Sequence, residues 1–362
     1  MKTLFDPMTI GKISLKNRVI RSATLEAALN RSGNFSEELC RIYGDLSKGG
    51  VAAIITGMMG VDENSRLFPK MADTQAENFI PELKKVCDLV HADKCACIVQ
   101  ISHCGLQANV LGSTDRPLAP SEMEVRPGVR TKAMTKEDIA AVVKAFAKTA
   151  ARCREAGADG VQIHGAHGYL LSQFLTPVFN QRSDEYGGDI AGRGRIVLEV
   201  YDAVRKEVGP DFGVWIKINS TDGPDLSITP EEFTSICSEL DKRGIDAIEV
   251  SGGLGINKKS TPSLVIKEEK DEGSFADAAL ALSNTIQTPV ISVGGYRTLS
   301  RLEEWLNKGN IAALAMSRPL ISEPDLVRRW QNGDLKKARC ISCNKCFMPK
   351  GRFGCQTFED KA

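Results

Sequence analysis

The chain alternates between short apolar segments and longer segments with a helical pattern of charged and apolar residues. Eight short segments carry the strand pattern, and each is followed by a helical one; they are residues 19–24, 51–56, 96–100, 160–164, 213–218, 247–250, 290–293 and 311–316. Strands that are apolar on both faces are typical of parallel sheets covered by helices. The count predicts an α/β fold, a TIM (β/α)8 barrel, with an open doubly wound sheet as the alternative.

Local signals refine this organisation. Thr135 and Asp138 precede an apolar periodicity over 139–153, and Thr229 with Pro230 opens the helical pattern after residue 228, so both threonines are predicted N-caps. Residues 254–274 are rich in Lys, Glu, Gly, Ser and Pro, which predicts a mobile excursion after the sixth strand. We expect one barrel domain over 1–335 and a short Cys-rich C-terminal extension over 336–362.

Composition narrows the class of protein. The chain has 362 residues, 42% of them hydrophobic, and its 47 Lys and Arg nearly balance 46 Asp and Glu. With a net charge of +1, neither nucleic acid nor an anionic membrane is an expected partner. Residues 1–17 resemble neither a signal peptide nor a membrane span, so we expect a cytoplasmic protein. A homo-oligomer is compatible with the sequence, which leaves the oligomeric state open.

The eleven cysteines fall into two groups. Four lie in the C-terminal extension, and the other seven are scattered in a way that predicts reduced thiols in small apolar sites; these are Cys40, Cys87, Cys95, Cys97, Cys104, Cys153 and Cys237.

Candidate chemistry concentrates where the fourth predicted strand ends. His164 and His167 lie three residues apart, Tyr169 follows two positions later, and the whole chain has only four His. Two imidazoles can donate hydrogen bonds to an anionic or carbonyl oxygen, and a phenol can supply a proton. The alternatives are a structural His pair and a core aromatic residue.

The last two predicted strands end in a pattern typical of a phosphate site. Gly294 and Gly295 follow the seventh strand, and Ser317 with Arg318 follows the eighth. Paired glycines allow a ligand to approach the backbone, and a guanidinium binds phosphate well. A tight turn at the two glycines is the simpler alternative.

Two polar residues in other strands also call for an explanation. Lys217 lies inside an apolar strand, where a cation needs an anion or a place at the barrel mouth; it could neutralise a cofactor or pair with a structural carboxylate. Gln100 ends its strand with an amide donor and acceptor suited to the edge of a heterocycle.

Taken in order, the motifs resemble those of the old yellow enzyme family of flavin-dependent ene-reductases, over nearly the whole chain. They are Leu4-Phe5-x-Pro7, Leu15-Lys16-Asn17-Arg18, Gln100-Ile101-Ser102-His103, His164 through Leu175, Asp184-Glu185-Tyr186-Gly187-Gly188, Val293-Gly294-Gly295 and Arg318-Pro319. The resemblance implies a TIM barrel that holds FMN, is reduced by NAD(P)H and is reoxidised by a small-molecule activated alkene.

The resemblance also implies roles for individual residues. FMN would be bound by Ser22, Ala23, Thr24, Gly57, Gln100, Lys217, Gly294, Gly295, Ser317 and Arg318, with Lys217 close to flavin N1 at a position that is usually Arg. His164 and His167 would hold the substrate oxygen while flavin N5 gives hydride to the β-carbon, and Tyr169 would protonate the α-carbon. Two departures are Gln162, where Glu is frequent, and Leu106, where Arg is frequent. We expect the Gln162 side chain to lie outside the barrel.

The C-terminal extension carries Cys340, Cys343, Cys346 and Cys355. Thiolates at such spacing suit a 4Fe–4S cluster or zinc, with reduced thiols as the alternative. The pattern resembles the cluster loop of the dienoyl-CoA reductase and trimethylamine dehydrogenase branch, although the gap between Cys343 and Cys346 is one residue shorter. Since the sequence ends at Ala362, we expect no second nucleotide-binding domain, so a cluster would serve an external partner or a structural role.

Two other functions remain compatible with the sequence. One is a flavin barrel that passes electrons to a quinone or a nitro compound, for which Tyr169 need not protonate carbon. The other is an electron carrier or redox-sensing module that meets a protein partner through the Cys-rich extension.

Overall fold

A computed structural model describes residues 1–26, 35–68, 71–108, 116–223, 228–255, 261–347 and 353–358. Eight parallel strands form a closed barrel; they are β1 (Val19–Arg21), β2 (Ala53–Ile55), β3 (Ala96–Ser102), β4 (Gly160–Gly165), β5 (Gly213–Asn219), β6 (Ala247–Ser251), β7 (Val290–Val293) and β8 (Ala313–Met316). Each strand pairs with the next, and β8 pairs with β1. The predicted TIM barrel is confirmed, and the open-sheet alternative is wrong.

Helices follow the strands and cover the outside of the barrel. They are α1 (Glu37–Lys48), α2 (Phe79–His91), α3 (Lys136–Glu155), α4 (Leu170–Leu175), α5 (Ile190–Val208), α6 (Pro230–Lys242), α7 (Ala276–Ser283), α8 (Leu299–Lys308), α9 (Arg318–Ser322) and α10 (Leu326–Gln331). Both predicted N-caps are confirmed, because the side chain of Thr135 accepts from the backbone of Asp138 and that of Thr229 from Glu232.

The amino-terminal end of the barrel is closed by an antiparallel hairpin of Met8–Ile10 and Ile13–Leu15. Its apolar side chains join Trp215 and small strand residues in one buried cluster inside the barrel. Ile13 lies so close to the start of β5 that a Cβ on Gly213 would be 2.6 Å from its Cδ1. This end of the barrel is therefore filled by side chains, and polar groups are left for the opposite end.

Shorter strands add to the barrel sheet or pair with one another. Met59–Gly60 adds to β3, Leu118–Ala119 pairs with Lys132–Ala133, and Glu124–Arg126 pairs with Val129–Arg130. The predicted excursion over 254–274 contains a single 3₁₀ turn at Glu269–Asp271 in its described part, and its residues 256–260 lie outside the described residues.

The core between strands and helices explains most of the cysteines. Six of the seven scattered cysteines are buried free thiols, and Cys40 is partly exposed. The prediction of small buried thiols is confirmed for those six. No helix in the described ranges combines the length and apolarity needed to cross a membrane.

Candidate active site

The candidate residues gather at the carboxyl end of the barrel, opposite the hairpin. Ser22 follows β1, Gly57 follows β2, His164 is the second-last residue of β4, Gly294 follows β7 and Ser317 follows β8. The carboxyl ends of parallel strands face one mouth in such a barrel, and loops there carry the chemistry in this fold.

Three rings form a cluster at the end of β4. The ring centres of His164 and His167 are 5.2 Å apart, and those of His164 and Tyr169 are 4.9 Å apart, all in edge-to-face arrangements. His167 has φ of 61°, in the left-handed region, and its Nε2 lies 2.8 Å from the hydroxyl of Ser251 at the end of β6. The buried Nδ1 of His164 has no hydrogen-bond partner in the described part of the chain. A polar atom left in this state indicates a group that a ligand could satisfy.

Burial sets the protonation of this cluster. Desolvation, followed by the charge of Lys217, lowers the pKa of His167 to about 3, and desolvation with His167 and Lys217 lowers the pKa of His164 well below its usual value. Burial raises the pKa of Tyr169, whose ring packs beside Met58, Met71 and Cys104. At neutral pH both imidazoles are therefore uncharged and the phenol keeps its proton.

Lys217 belongs to a buried ion pair. Its Nζ lies 3.0 Å from the carboxylate of Glu249 and donates to Ser22 Oγ at 2.8 Å, while Ser22 Oγ donates to Glu249 at 2.7 Å. Lys217 is 3% exposed and Glu249 is fully buried. Pairing with a carboxylate was one of the two explanations for Lys217. His164, Lys217 and Glu249 are aligned across β4, β5 and β6, which places the ion pair next to the ring cluster.

A second arm of this network reaches Gln100. The Nε2 of Gln162 donates to Glu249 at 2.7 Å, and the Nε2 of Gln100 donates to the Oε1 of Gln162 at 2.8 Å. The expectation that Gln162 lies outside the barrel is wrong. Residues two apart in a strand point to the same face, so Gln162 points inward together with His164.

Gly295 and Arg318, two residues of the predicted phosphate site, lie close together. A Cβ on Gly295, whose φ is 77°, would lie 3.7 Å from Nη2 of Arg318. Gly294 is a glycine for a packing reason, because a Cβ there would lie 2.5 Å from the backbone nitrogen of Ser274. Ser317 Oγ is 2.8 Å from Thr24 Oγ1, which joins the ends of β1 and β8.

Two other predicted flavin residues have less direct support. The backbone nitrogen of Gly57 donates to Tyr43 Oη at 3.0 Å, and Tyr43 in turn donates to the buried carboxyl of Glu26. The backbone N–H of Gly57 is thus already engaged within the protein. Ala23 is half-buried and packs on the apolar cluster inside the barrel.

The four tail cysteines line one pocket, together with Arg318 and Asn344. Nη1 of Arg318 donates to Ser342 Oγ at 2.8 Å and to Asn344 Oδ1 at 2.5 Å. The tail therefore contacts the predicted phosphate site through Arg318. Cys343 is exposed, and its sulfur is 3.2 Å from Thr357 Oγ1. Within the described ranges, no three His, Cys, Asp or Glu are placed so that they could hold a metal ion. The described sulfur positions therefore do not form a ligand set, although the cysteines share a pocket.

Glu249 and Ser251 are site residues that the sequence interpretation missed. The signal for Glu249 is the one that identified Lys217, a charged residue within an apolar strand. Ser251 ends the same strand and carries no comparable signal, since serine is common at strand ends.

The donors and acceptors at the mouth fit a flavin nucleotide. Gln100 offers its Oε1 and Lys217 an ammonium for the polar edge of a heterocycle. His164, whose Nδ1 has no partner among the described residues, lies beside Lys217 in the sheet, and the guanidinium of Arg318 lies near Gly295, where it could bind a phosphate. The barrel and this mouth define a class of TIM-barrel oxidoreductase. The sequence matches the NADH:flavin oxidoreductase / NADH oxidase family over residues 3–337, and the chain belongs to that family. It is therefore an enzyme of an oxidoreductase family.

Relatives of known activity match most of the chain. The 4,4'-dithiodibutanoate disulfide reductase of Rhodococcus erythropolis is 30% identical, over 96% of this chain and 92% of that protein. The metal reductase of Desulforamulus reducens is 31% identical over 95% of this chain, but the chain spans only 51% of that relative. The NADPH dehydrogenase of Clostridium acetobutylicum is 30% identical, over 90% of this chain and 93% of that protein.

Solved structures agree with the fold. Morphinone reductase in complex with tetrahydroNAD superposes with a TM-score of 0.77 at 25% identity, over 92% of this chain and 91% of that one. A 2-naphthoyl-CoA reductase complex reaches a TM-score of 0.85 over 93% of this chain and 53% of that one. Its 24% identity supports the barrel alone.

Proposed function

We propose that the protein is an FMN-dependent NAD(P)H oxidoreductase that reduces the activated C=C bond of an α,β-unsaturated carbonyl or carboxyl compound. The observation that carries this proposal is the ring cluster of His164, His167 and Tyr169, uncharged and next to Lys217. Such a cluster offers neutral hydrogen-bond donors for an oxygen and a phenol that holds its proton, which is what conjugate reduction requires of a protein.

The residues proposed to hold FMN lie at the mouth. Lys217, Gln100, Ser22, Ala23, Thr24 and Gly57 would contact its ring system, and Gly294, Gly295, Ser317 and Arg318 its phosphate. When bound, FMN supplies a centre that accepts hydride from NAD(P)H and passes it to carbon. The morphinone reductase neighbour was solved with tetrahydroNAD, which supports a nicotinamide as the reductant here.

The chain's own side chains perform the remaining tasks. His164 and His167 donate hydrogen bonds to the substrate oxygen and draw electron density away from the β-carbon. Negative charge grows on that oxygen in the transition state, so donors held there lower the barrier. Burial favours this use, because donors in a desolvated site interact more strongly with a developing charge. The Nε2 of His167 contacts the hydroxyl of Ser251, and a substrate oxygen that binds to this nitrogen would displace that hydroxyl.

Tyr169 then delivers a proton to the α-carbon. Its raised pKa keeps the phenol protonated throughout the physiological range, and its ring is fixed by contact with His164. A positioned acid of this kind completes the reduction without a free proton from solvent.

An anaerobic titration tests the proposal. The FMN-reconstituted protein is reduced with NADH or NADPH and then mixed with a panel of enones, enoates and enoyl thioesters, with a quinone and a nitro compound as controls. Rapid reoxidation by at least one activated alkene, with the saturated compound as product, is the expected result. Reoxidation by the quinone or nitro compound alone would instead support an electron-transfer function.

The electron-transfer alternative has one structural observation in its favour, the four tail cysteines lining a pocket beside Arg318. We propose Cys340, Cys343, Cys346 and Cys355 as ligands of an iron–sulfur cluster or zinc, for which the sulfur atoms would have to move together. Iron, sulfide and zinc assays after anaerobic purification test this. Four thiols that react with a thiol reagent in metal-free protein would contradict it.

A further inference from the structure

Glu249 is the point where the polar side chains inside the barrel meet, and the proposed function gives it no task. Its Oε1 accepts from Ser22 at 2.7 Å and lies 3.0 Å from Nζ of Lys217. Its Oε2 accepts from Gln162 at 2.7 Å. Burying a carboxylate is costly because the group loses its hydration, and the hydrogen bonds and the ion pair to both oxygens offset this cost. The same contacts hold the Glu249 side chain in one position.

The first consequence concerns charge. A carboxylate 3.0 Å from the ammonium cancels part of the field that the ammonium exerts on a neighbouring group. A ligand bound next to Lys217 therefore experiences only part of the positive charge of that residue. Removing the charge of Glu249 would expose the ligand to the full charge.

The second consequence concerns the direction of hydrogen bonds. An ionised carboxylate only accepts, so Gln162 must turn its Nε2 towards Glu249. The Oε1 of Gln162 then faces Gln100, which must donate through its own Nε2. The Oε1 of Gln100 is thereby turned away from Gln162, where it can accept a hydrogen bond from an N–H of a ligand. The carboxylate of Glu249 thus fixes the orientation of a side chain two hydrogen bonds away.

We propose that Glu249 is a positioning residue of the flavin site: it offsets the charge of Lys217 and sets the orientation of Gln100, and so keeps the redox potential of the bound flavin lower than an unpaired Lys217 would. This rests on the proposed FMN site. Reduction adds negative charge to the flavin ring, so a partly neutralised cation stabilises the reduced form less.

The same arrangement favours a neutral side chain at position 162, where Gln162 donates to Glu249. A Glu at position 162 would place a second carboxylate within about 3 Å of Glu249, and two such groups cannot both ionise at that distance. With the negative charge on β6, the neighbouring position on β4 has to be neutral and able to donate.

The test is the midpoint potential of the FMN-loaded protein, measured at pH 7 by slow enzymatic reduction against reference dyes. In Glu249→Gln the preference for reduced over oxidised FMN should rise about tenfold, which is about 30 mV for a two-electron couple. Lys217→Gln should shift the potential in the opposite direction. The double variant Lys217→Gln with Glu249→Gln restores the charge balance, and its potential should return towards that of the wild type.

Glu272→Gln is a matched control. Glu272 is also a buried carboxylate, 3.4 Å from Arg297, and it lies outside the Lys217 network. The Glu272→Gln substitution should lower the free energy of unfolding and leave the midpoint potential of FMN unchanged. If Glu249→Gln folds too poorly to study, the double variant and Lys217→Gln still give the comparison.

Two outcomes overturn the inference or its basis, and they are distinguishable. Equal weakening of oxidised and reduced FMN in Glu249→Gln, with an unchanged potential, would make Glu249 a structural residue only. Wild-type protein that binds no FMN would remove the proposed function itself, before any potential is compared.

Discussion

The rings of His164 and Tyr169 lie edge to face, with their centres 4.9 Å apart, where β4 is followed by α4. Tyr169 is the N-cap residue of that helix, and His164 is the inward-facing residue near the end of β4. The strand and the helix therefore place a hydrogen-bond donor and an acid side by side. This juxtaposition gives the proposed reaction its most direct test.

Tyr169→Phe should slow alkene reduction by about 10²- to 10⁴-fold, because the substitution removes the positioned acid and keeps the ring. Reduction of the flavin by NAD(P)H should change little. Stopped-flow measurement of the two half-reactions separates them. Tyr186→Phe is the control, since the hydroxyl of Tyr186 donates to Glu199 in α5, away from the ring cluster. Equal loss in both half-reactions of Tyr169→Phe would rule out the role of proton donor.

The pH profile tests the protonation of the histidines. Because burial lowers the pKa of His167 to about 3 and raises the pKa of Tyr169, the imidazole is neutral and the phenol is protonated throughout the range from pH 6 to 8. The single-turnover rate of alkene reduction should therefore be flat between pH 6 and 8. A break near pH 6.5 that disappears in His167→Gln would show that His167 titrates normally.

Arg318→Gln should weaken FMN binding by about 10- to 100-fold, the effect of losing about 1.5–3 kcal/mol of hydrogen bonding to a charged group. Titration of apoprotein with FMN, followed by quenching of flavin fluorescence, measures it. Ser342→Ala removes one contact of Arg318 with the tail and keeps the guanidinium, so its affinity should stay near that of the wild type. If both variants lose FMN equally, Arg318 acts through the tail and not through the phosphate.

Glu26 should make stability depend on pH. Burial raises the pKa of this carboxyl to about 7 even though Arg21 lies 3.5 Å away. The folded protein then holds a proton that the unfolded chain releases above about pH 4.5, so the stability that Glu26 contributes falls by about 3 kcal/mol as pH rises from about 4.5 to 7. Glu26→Gln should lose this dependence, and the gap in free energy of unfolding between the two proteins should narrow from pH 5 to 8. Parallel curves of stability against pH would contradict the raised pKa.

The barrel was predictable because every strand carries its own apolar signal. The predicted and observed strands differ only in their first or last residues. For example, β1 was predicted over residues 19–24 and ends at Arg21. The chain beyond Arg21 turns into the mouth, where pairing stops although the residues remain compatible with a strand. The caps at Thr135 and Thr229 are equally local, and both were found.

The prediction that Gln162 lies outside the barrel was wrong for a local reason, because the alternation along its strand places it on the same face as His164. Other features depend on segments that are distant in the sequence. The contact of Arg318 with Ser342 and Asn344 joins residues more than 20 positions apart, and no local pattern predicts it. The roles of individual mouth residues, the domain boundary and the tail ligands stay predictions.

The hairpin that fills the amino-terminal end of the barrel also constrains the kinetics. Because Ile13 and Trp215 fill that end, small molecules would not reach a flavin at the mouth through it, and would approach from the opposite end. Nicotinamide and alkene would then have to use the same entrance in succession, the first leaving before the second arrives. Initial rates measured over both concentrations should give parallel double-reciprocal lines, and each compound in excess should inhibit competitively against the other.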